Sequence, residues 1–324
     1  MNSVYDVLGI GNAIVDVIAR ADDAFLGRNG LVKGSMMLVD EKRAQKIYDA
    51  MGPGIEVSGG SCGNTMAGVA SFGGKGAYIG KVRDDQLGDV FGHDLRSLGV
   101  AFDTPKATSG PATARCLILV TPDAQRTMNT YLGACTRLGT SDIDPDLVGS
   151  AAVTYVEGYL WDALGAKQAV LKAFDAAHAH GRLVSITLSD SFCVHRYRDE
   201  FRNLVRNKID ILFGNEAEIK SLYKVDTFEE AMEATRREAK IAVLTRSEKG
   251  SIVLKGSETW TVEAAPVAKV VDTTGAGDLY AAGFLFGFTH GKPLAECARL
   301  GGIAAAEVIS HVGARPERAL RELI

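Results

Sequence analysis

Short apolar, β-branched runs alternate with longer helical patterns along most of this chain, and that alternation restricts the fold more than any other feature. The runs at 4–10, 77–80, 152–157, 183–187, 209–214 and 241–245 read as strands. Their near-continuous apolar character is what a parallel sheet covered on both faces requires. Helical patterns over 65–72, 88–98, 166–180, 228–240, 280–288 and 294–309 lie between or after them. The expected architecture is therefore a set of βαβ units. No strand separates the last two helices, so both are expected on one face of the sheet.

Two segments break the rhythm. Residues 15–39 and 112–132 show turn residues and apolar/polar alternation, as in Thr113-Ala114-Arg115-Cys116-Leu117-Ile118-Leu119-Val120, which suggests half-solvated antiparallel strands. Because they are separated in sequence, they are expected to form a small lid folded over the main sheet. The expected division is a lid from 11–40 and 107–135, on a large domain built from 1–10, 41–106 and 136–324.

Composition narrows the partners. The 36 basic and 40 acidic residues give a net charge of −4, with no long run of either sign to meet a nucleic acid or a membrane surface. Cys62, Cys116, Cys135, Cys193 and Cys297 have neither CxxC spacing nor a Cys/His cluster, so reduced thiols and a cytoplasmic location are expected. Asn12 and Asp16 interrupt the apolar N-terminal stretch, which reads poorly as a signal peptide. The sequence leaves both a monomer and a homodimer open.

Several glycine runs are decoys. Gly9-Ile10-Gly11 follows a strand, but the third glycine of a dinucleotide fingerprint would fall on Ile14. The spacing from Gly68 to Gly73 begins like a P-loop, yet Gly74 stands where its lysine belongs.

The run Asp272-Thr273-Thr274-Gly275-Ala276-Gly277-Asp278 behaves differently. It lies between Lys269-Val270-Val271 and a helical pattern, so strand, glycine turn and helix are the expected order. Gly275 and Gly277 permit positive φ and close backbone approach, and the helix start points unsatisfied N–H groups at the same place. Such an array suits phosphoryl transfer, in which a protein mainly positions reactants and neutralises charge. Asp278 falls in the first helical turn, where it either caps the helix or faces a substrate, and the helix terminus is expected to lower its pKa.

Taken with Gly59-Gly60-Ser61-Cys62-Gly63-Asn64-Thr65, Gly73-Gly74 and Gly80, this run resembles the paired signatures of the ribokinase-like, or PfkB, family of carbohydrate and nucleoside kinases. The likeness extends over almost the whole chain. It implies a three-layer α/β sandwich with a central, mostly parallel sheet and a small β-sheet lid. It also implies ATP as phosphate donor, Asp278 as catalytic base, and Gly275, Ala276 and Gly277 as the anion hole. Asn215 and Glu218, in Asn215-Glu216-Ala217-Glu218, are similar to the family's NxxE motif, which places them near the phosphates and Mg2+ through water; a helix cap at Asn215 is the plainer reading. Asp16, with Gly59, Gly60 and Asn64, is implied to hold acceptor hydroxyls. Thr245, Gly250, Thr274 and Gly313 are implied to border the nucleotide, and a monovalent cation such as K+ near Asp272 and Gly313 is a feature the family allows.

Within the family, Asn12, Asp16, Ser61, Arg126 followed by Asn129, and Phe213-Gly214-Asn215-Glu216 look like the versions found in adenosine kinases. Arg126 would then close from the lid onto phosphate as a bidentate donor. A nucleoside site also needs a flat apolar slot, for which Met36, Met37 and Leu38 on the lid and Tyr159 and Trp161 after the strand at 152–157 are the candidates. A nucleoside 5′-hydroxyl, adenosine foremost, is the expected acceptor, with a free-sugar kinase as the alternative.

Overall fold

The computed structural model describes residues 3–123 and 125–324. In chain order its strands are β1 (Tyr5–Ile10), β2 (Ile14–Arg20), β3 (Met36–Leu38), β4 (Gly54–Ser58), β5 (Gly76–Ile79), β6 (Ala114–Val120), β7 (Arg126–Tyr131), β8 (Ala151–Glu157), β9 (Leu183–Thr187), β10 (Ile211–Asn215), β11 (Ile241–Thr245), β12 (Ser251–Lys255) and β13 (Glu258–Val262). The helices are α1 (Asp23–Arg28), α2 (Glu41–Ala50), α3 (Ser61–Ser71), α4 (Gln86–Ser97), α5 (Pro145–Gly149), α6 (Leu164–Ala179), α7 (Ser191–Asn207), α8 (Glu216–Tyr223), α9 (Phe228–Glu238), α10 (Ala276–Thr289) and α11 (Leu294–Val308). None of the described helices is long and apolar enough to cross a membrane.

The large sheet runs β13-β12-β11-β10-β9-β8-β1-β5. It is parallel from β5 to β11, and the β12–β13 hairpin adds an antiparallel edge. Side chains alternate between its faces. Leu8, Ile10, Val184, Ile186 and Leu212 join a core with α6, α7, α8 and α9. Val7, Tyr78, Tyr155, Phe213 and Val243 join a second core with α3, α4, α10 and α11. The result is the expected three-layer α/β sandwich, with the last two helices on one face.

The small sheet runs β3-β7-β6-β2-β4. Two of its pairings, β2 with β6 and β3 with β7, are parallel, not antiparallel as expected. These partners come from different excursions of the chain, so no tight hairpin dictates their direction. The sheet also extends past the expected bounds, because β4 pairs with β2 and lies within 41–106. Ala44 and Ile47 of α2 pack with Val17, Leu117 and Leu119 beneath the same sheet. A helix that covers this sheet completes the lobe, since a small open sheet has no other way to bury one face.

The segment before Asp272 is not a strand. Val270 is 56% exposed, and Val271 donates its N–H to the Ile309 carbonyl at the end of α11 instead of to a neighbouring strand.

Candidate active site

The active-site cleft lies where the small sheet faces the carboxyl ends of the large sheet's strands, the usual ligand position in an open α/β sheet. Its volume is about 560 Å³. Asn12, Asp16, Met36, Leu38, Gly60, Ser61, Asn64, Tyr159, Asn215, Glu218, Thr245, Thr274, Gly275, Ala276, Gly277 and Asp278 all line it. Residues from both ends of the sequence thus converge on one place.

The floor is the start of α10. Gly275 is its N-cap, with φ +79° and ψ −3°, a left-handed conformation that a β-carbon penalises. A β-carbon there would also lie 2.7 Å from the Ala314 carbonyl oxygen. The Ala276 N–H turns back to the Thr273 carbonyl at 3.2 Å, so this N–H of the turn already has a partner. Thr274 is held by Asp272, whose carboxylate accepts its N–H at 3.0 Å and its hydroxyl at 2.7 Å.

Asp278 sits in the first turn of α10, but α3 supplies its partners. The Ser61 hydroxyl donates to one carboxylate oxygen at 2.6 Å and the Asn64 amide to the other at 3.1 Å. Close helix packing makes this possible: a β-carbon on Gly68 of α3 would lie 2.6 Å from Ala282 of α10. Contrary to the expected effect of the helix terminus, the Asp278 carboxyl is raised above its ordinary range. Burial raises it, and the Ser61 and Asn64 hydrogen bonds only partly offset that.

Other carboxyls behave alike. Asp16 is raised to about 6 by burial, opposed by Arg315 and Arg126. Gly59 lies against its carboxylate, and a β-carbon there would come within 2.4 Å of it. Glu157 closes β8 and is raised to about 7 by burial, although it accepts from the Cys62 N–H at 2.9 Å and from the Asn12 N–H and amide at 2.9 and 2.5 Å. Glu218 is also raised to about 7, by burial first and by Asp190 and Asp278 as well. It forms a reciprocal cap with Asn215, whose N–H and amide reach its carboxylate at 2.9 and 2.6 Å while the Glu218 N–H reaches the Asn215 oxygen at 2.9 Å. The cap and a place on the cleft wall are therefore compatible.

These shifts have a sign that can be checked. The folded chain binds protons at Asp16, Glu157 and Glu218 more tightly than the unfolded chain does, so stability is greatest on the acid side and falls as pH rises from the ordinary carboxyl range through about 7. Thermal melts of the ligand-free protein at about pH 5 and about pH 7.5 should show the lower midpoint at the higher pH. Glu218→Gln should flatten the slope, and a midpoint that rose across this window would contradict the assignment.

Four expected site residues do not line the cleft. Arg126, at the start of β7, is neither exposed nor free: its guanidinium pairs with Asp272, and both side chains are less than a tenth exposed. Gly313 donates its N–H to the same carboxylate at 3.0 Å. With Thr274 also bound there, the Asp272 carboxylate accepts four hydrogen bonds. Asp272 is nevertheless held below its usual pKa. Burial alone would raise it, but the Gly313 and Thr274 hydrogen bonds and Arg126 outweigh that. Gly250 closes the turn between β11 and β12 at φ +78°, packed against Val262. Gly59 stands behind Asp16, as described above.

The apolar slot needs correction too. Alternation along β3 puts Met36 and Leu38 on the cleft face and Met37 on the other. Trp161 is 2% exposed and belongs to the main core, where its indole N–H donates to Glu200 at 2.9 Å. Phe192, 76% exposed at the start of α7, takes the place expected for it. Glu157 and Phe192 escaped the reading of the sequence. An acidic residue ending an apolar parallel strand was a usable signal for the first, whereas nothing local marked the second.

Could the site hold Mg2+? Among the described residues no three acidic, His or Cys side chains cluster tightly enough to ligate a metal directly. Glu218 nevertheless feels both Asp190 and Asp278, an accumulation of negative charge that a divalent cation bound through water would relieve.

Comparison with known proteins agrees with this geometry. Adenosine kinase from Sinorhizobium meliloti superimposes with a TM-score of 0.92 at 55% identity, covering 98% of each chain. A probable sugar kinase from Rhizobium etli CFN 42 gives 0.93 at 52%, covering 99% of this chain and 98% of that one. The 5-dehydro-2-deoxygluconokinase of Geobacillus kaustophilus is 31% identical over 264 residues, 78% of each chain. The profile described as pfkB family carbohydrate kinase matches residues 51–319, and the chain belongs to that family.

Proposed function

We propose that this kinase transfers the γ-phosphate of ATP to the 5′-hydroxyl of adenosine. The observation that carries the reading is the two-part lining of the cleft. Met36, Leu38, Ile118 and Met128 of the small sheet, with Tyr159 and Phe192, give the cleft an apolar lining, and Asn12, Asp16, Asn64 and Asp278 give the same cleft a polar one. A purine fills the first part and a ribose the second. The 55% identity to the S. meliloti adenosine kinase supports the same acceptor.

In this reading Asp16, with Gly60 and Asn64, accepts and orients the ribose hydroxyls, and Gly59 leaves room for that carboxylate. The 5′-hydroxyl approaches Asp278. Its oxygen attacks the γ-phosphorus, the bond from that phosphorus to the β,γ-bridging oxygen breaks, ADP leaves, and the hydroxyl proton passes to Asp278 late in the transfer. The raised pKa of Asp278 suits it to take that proton. The N–H groups of Gly275 and Gly277 and the dipole of α10 neutralise charge on the moving phosphoryl group. Thr274 steadies that turn, while Thr245 borders the nucleotide. Arg126 is the lid's positive charge for the phosphates, and it must part from Asp272 to reach them. Asn215 and Glu218 would hold Mg2+ through water; when bound, it neutralises phosphate charge.

A free-sugar acceptor is the second reading. The R. etli relative is described as a probable sugar kinase. ADP release with adenosine, inosine, guanosine, ribose and fructose separates the two. Burying roughly 100 to 150 Å² of base surface at about 25 cal/mol/Å² favours adenosine over ribose by about 70- to 600-fold in kcat/KM. Phosphorylation of the free sugars alone would overturn the adenosine reading.

A further inference from the structure

Arg315 lies on the loop that follows α11 and was singled out by no motif. Its guanidinium reaches two other parts of the molecule, the end of β4 and helix α3. One terminal nitrogen donates to the Ser58 hydroxyl at the end of β4 at 2.7 Å, and the Ser58 N–H is anchored on Asp94 of α4 at 2.8 Å. The Nε–H points to the side-chain oxygen of Asn64 at 3.4 Å. The other terminal nitrogen is buried without a partner among the described residues. Burial acts to lower the Arg315 pKa, and Asp16 and Asp94 oppose it, so the charge is retained beside the acceptor site at a cost.

The neighbours of Arg315 belong to the reacting centre. Asn64 is 5% exposed and donates its amide to Asp278. Arginine offers only donors and an ionised carboxylate only acceptors, so Asn64 satisfies both in one orientation of its amide. Turned over, it would set its amide against the guanidinium and its oxygen against Asp278. The preceding residue, Ala314, packs on Gly275, and Gly313 binds Asp272. The loop itself is fixed by Glu307 of α11, which accepts the N–H groups of Glu317 and Arg318, each at 3.0 Å.

We propose that Arg315 is a positioning residue for the phosphoryl transfer: braced on Ser58, it fixes the orientation of Asn64 and, through Asn64, the carboxylate of Asp278. This inference rests on the role of Asp278 proposed above. It makes the loop over the anion hole part of the acceptor site as well, so both reactants are held by one short segment.

A double-mutant cycle tests the link. Arg315→Met should lower kcat by about 10- to 100-fold, the scale on which small misplacements act, while KM for ATP moves by less than about threefold. Asn64→Ala should lower kcat comparably, and adding Arg315→Met to it should lower kcat by no more than about twofold further. Additive losses would overturn the proposal. Should Arg315→Met fail to fold, Arg315→Lys decides. It keeps the charge but cannot reach Ser58 and Asn64 together, so an activity equal to the unaltered enzyme would overturn the orienting role and a clear loss in kcat would support it. Asp278→Asn is run alongside. If it retained turnover, the assignment of Asp278 would fall; if it were inactive while the cycle was additive, the role of Arg315 alone would fall.

Discussion

Asp278→Asn is expected to lower kcat by about 100-fold or more, the lower end of what a positioned general base contributes, with nucleotide binding kept. The substitution is close to isosteric. Asn64 still has an oxygen to donate to, and the new amide nitrogen can donate to the Ser61 hydroxyl, which reverses the direction of the bond that Ser61 now makes. Removing the charge also removes the burial penalty that raises this carboxyl. The variant should therefore melt at the same temperature as the unaltered protein or higher, as is common where function keeps a charge that stability would discard. ADP release and a thermal melt on the same preparation give both numbers. Turnover within tenfold of the unaltered enzyme would remove Asp278 from the chemistry, and a collapsed melt would make the loss one of folding.

The sign of the Asp278 shift shows where local sequence stops being informative. The helix start is visible in Asp272–Asp278, and it argues for a lowered pKa. The opposing effect is burial, a property of the assembled fold; even the carboxyl's two hydrogen-bond partners, Ser61 and Asn64, are 217 and 214 positions away. Arg126 gives the same lesson. Its place on the lid was readable, but its partner Asp272 is 146 positions away. The strands of the large sheet were legible because burial on both faces leaves an unbroken apolar run. The β12–β13 hairpin was not, since Glu258-Thr259-Trp260-Thr261-Val262 is half polar at the sheet edge. In the small sheet, β4 begins with exposed residues and carries little signal until β2 pairs with it. Glycine spacing identified the turn and the segment facing it. It could not identify Phe192 or Arg315, whose roles depend on tertiary placement alone.

Gly275→Ala is expected to rival Asp278→Asn in effect, by a different route. At φ +79° an alanine is strained, and its β-carbon would meet the Ala314 backbone at 2.7 to 2.8 Å. The strain is of order 1–3 kcal/mol, and relief requires the turn and the 313–315 segment to separate. That movement draws the Gly275 and Gly277 N–H groups away from the phosphoryl group, and losing such donors costs about 100- to 1000-fold in kcat. Gly277→Ala supplies the contrast. A β-carbon there meets nothing within 4 Å and Gly277 lies within α10, so stability should hold or rise by about 0.4–1 kcal/mol. Its methyl group would instead take up space in the cleft, which raises KM for ATP more than it lowers kcat. Steady-state kinetics and melts of the two variants separate a displaced anion hole from a crowded one. If Gly275→Ala kept turnover within fivefold, the turn's backbone would not be what neutralises the transferred phosphate, and that task would pass to Arg126 on the lid.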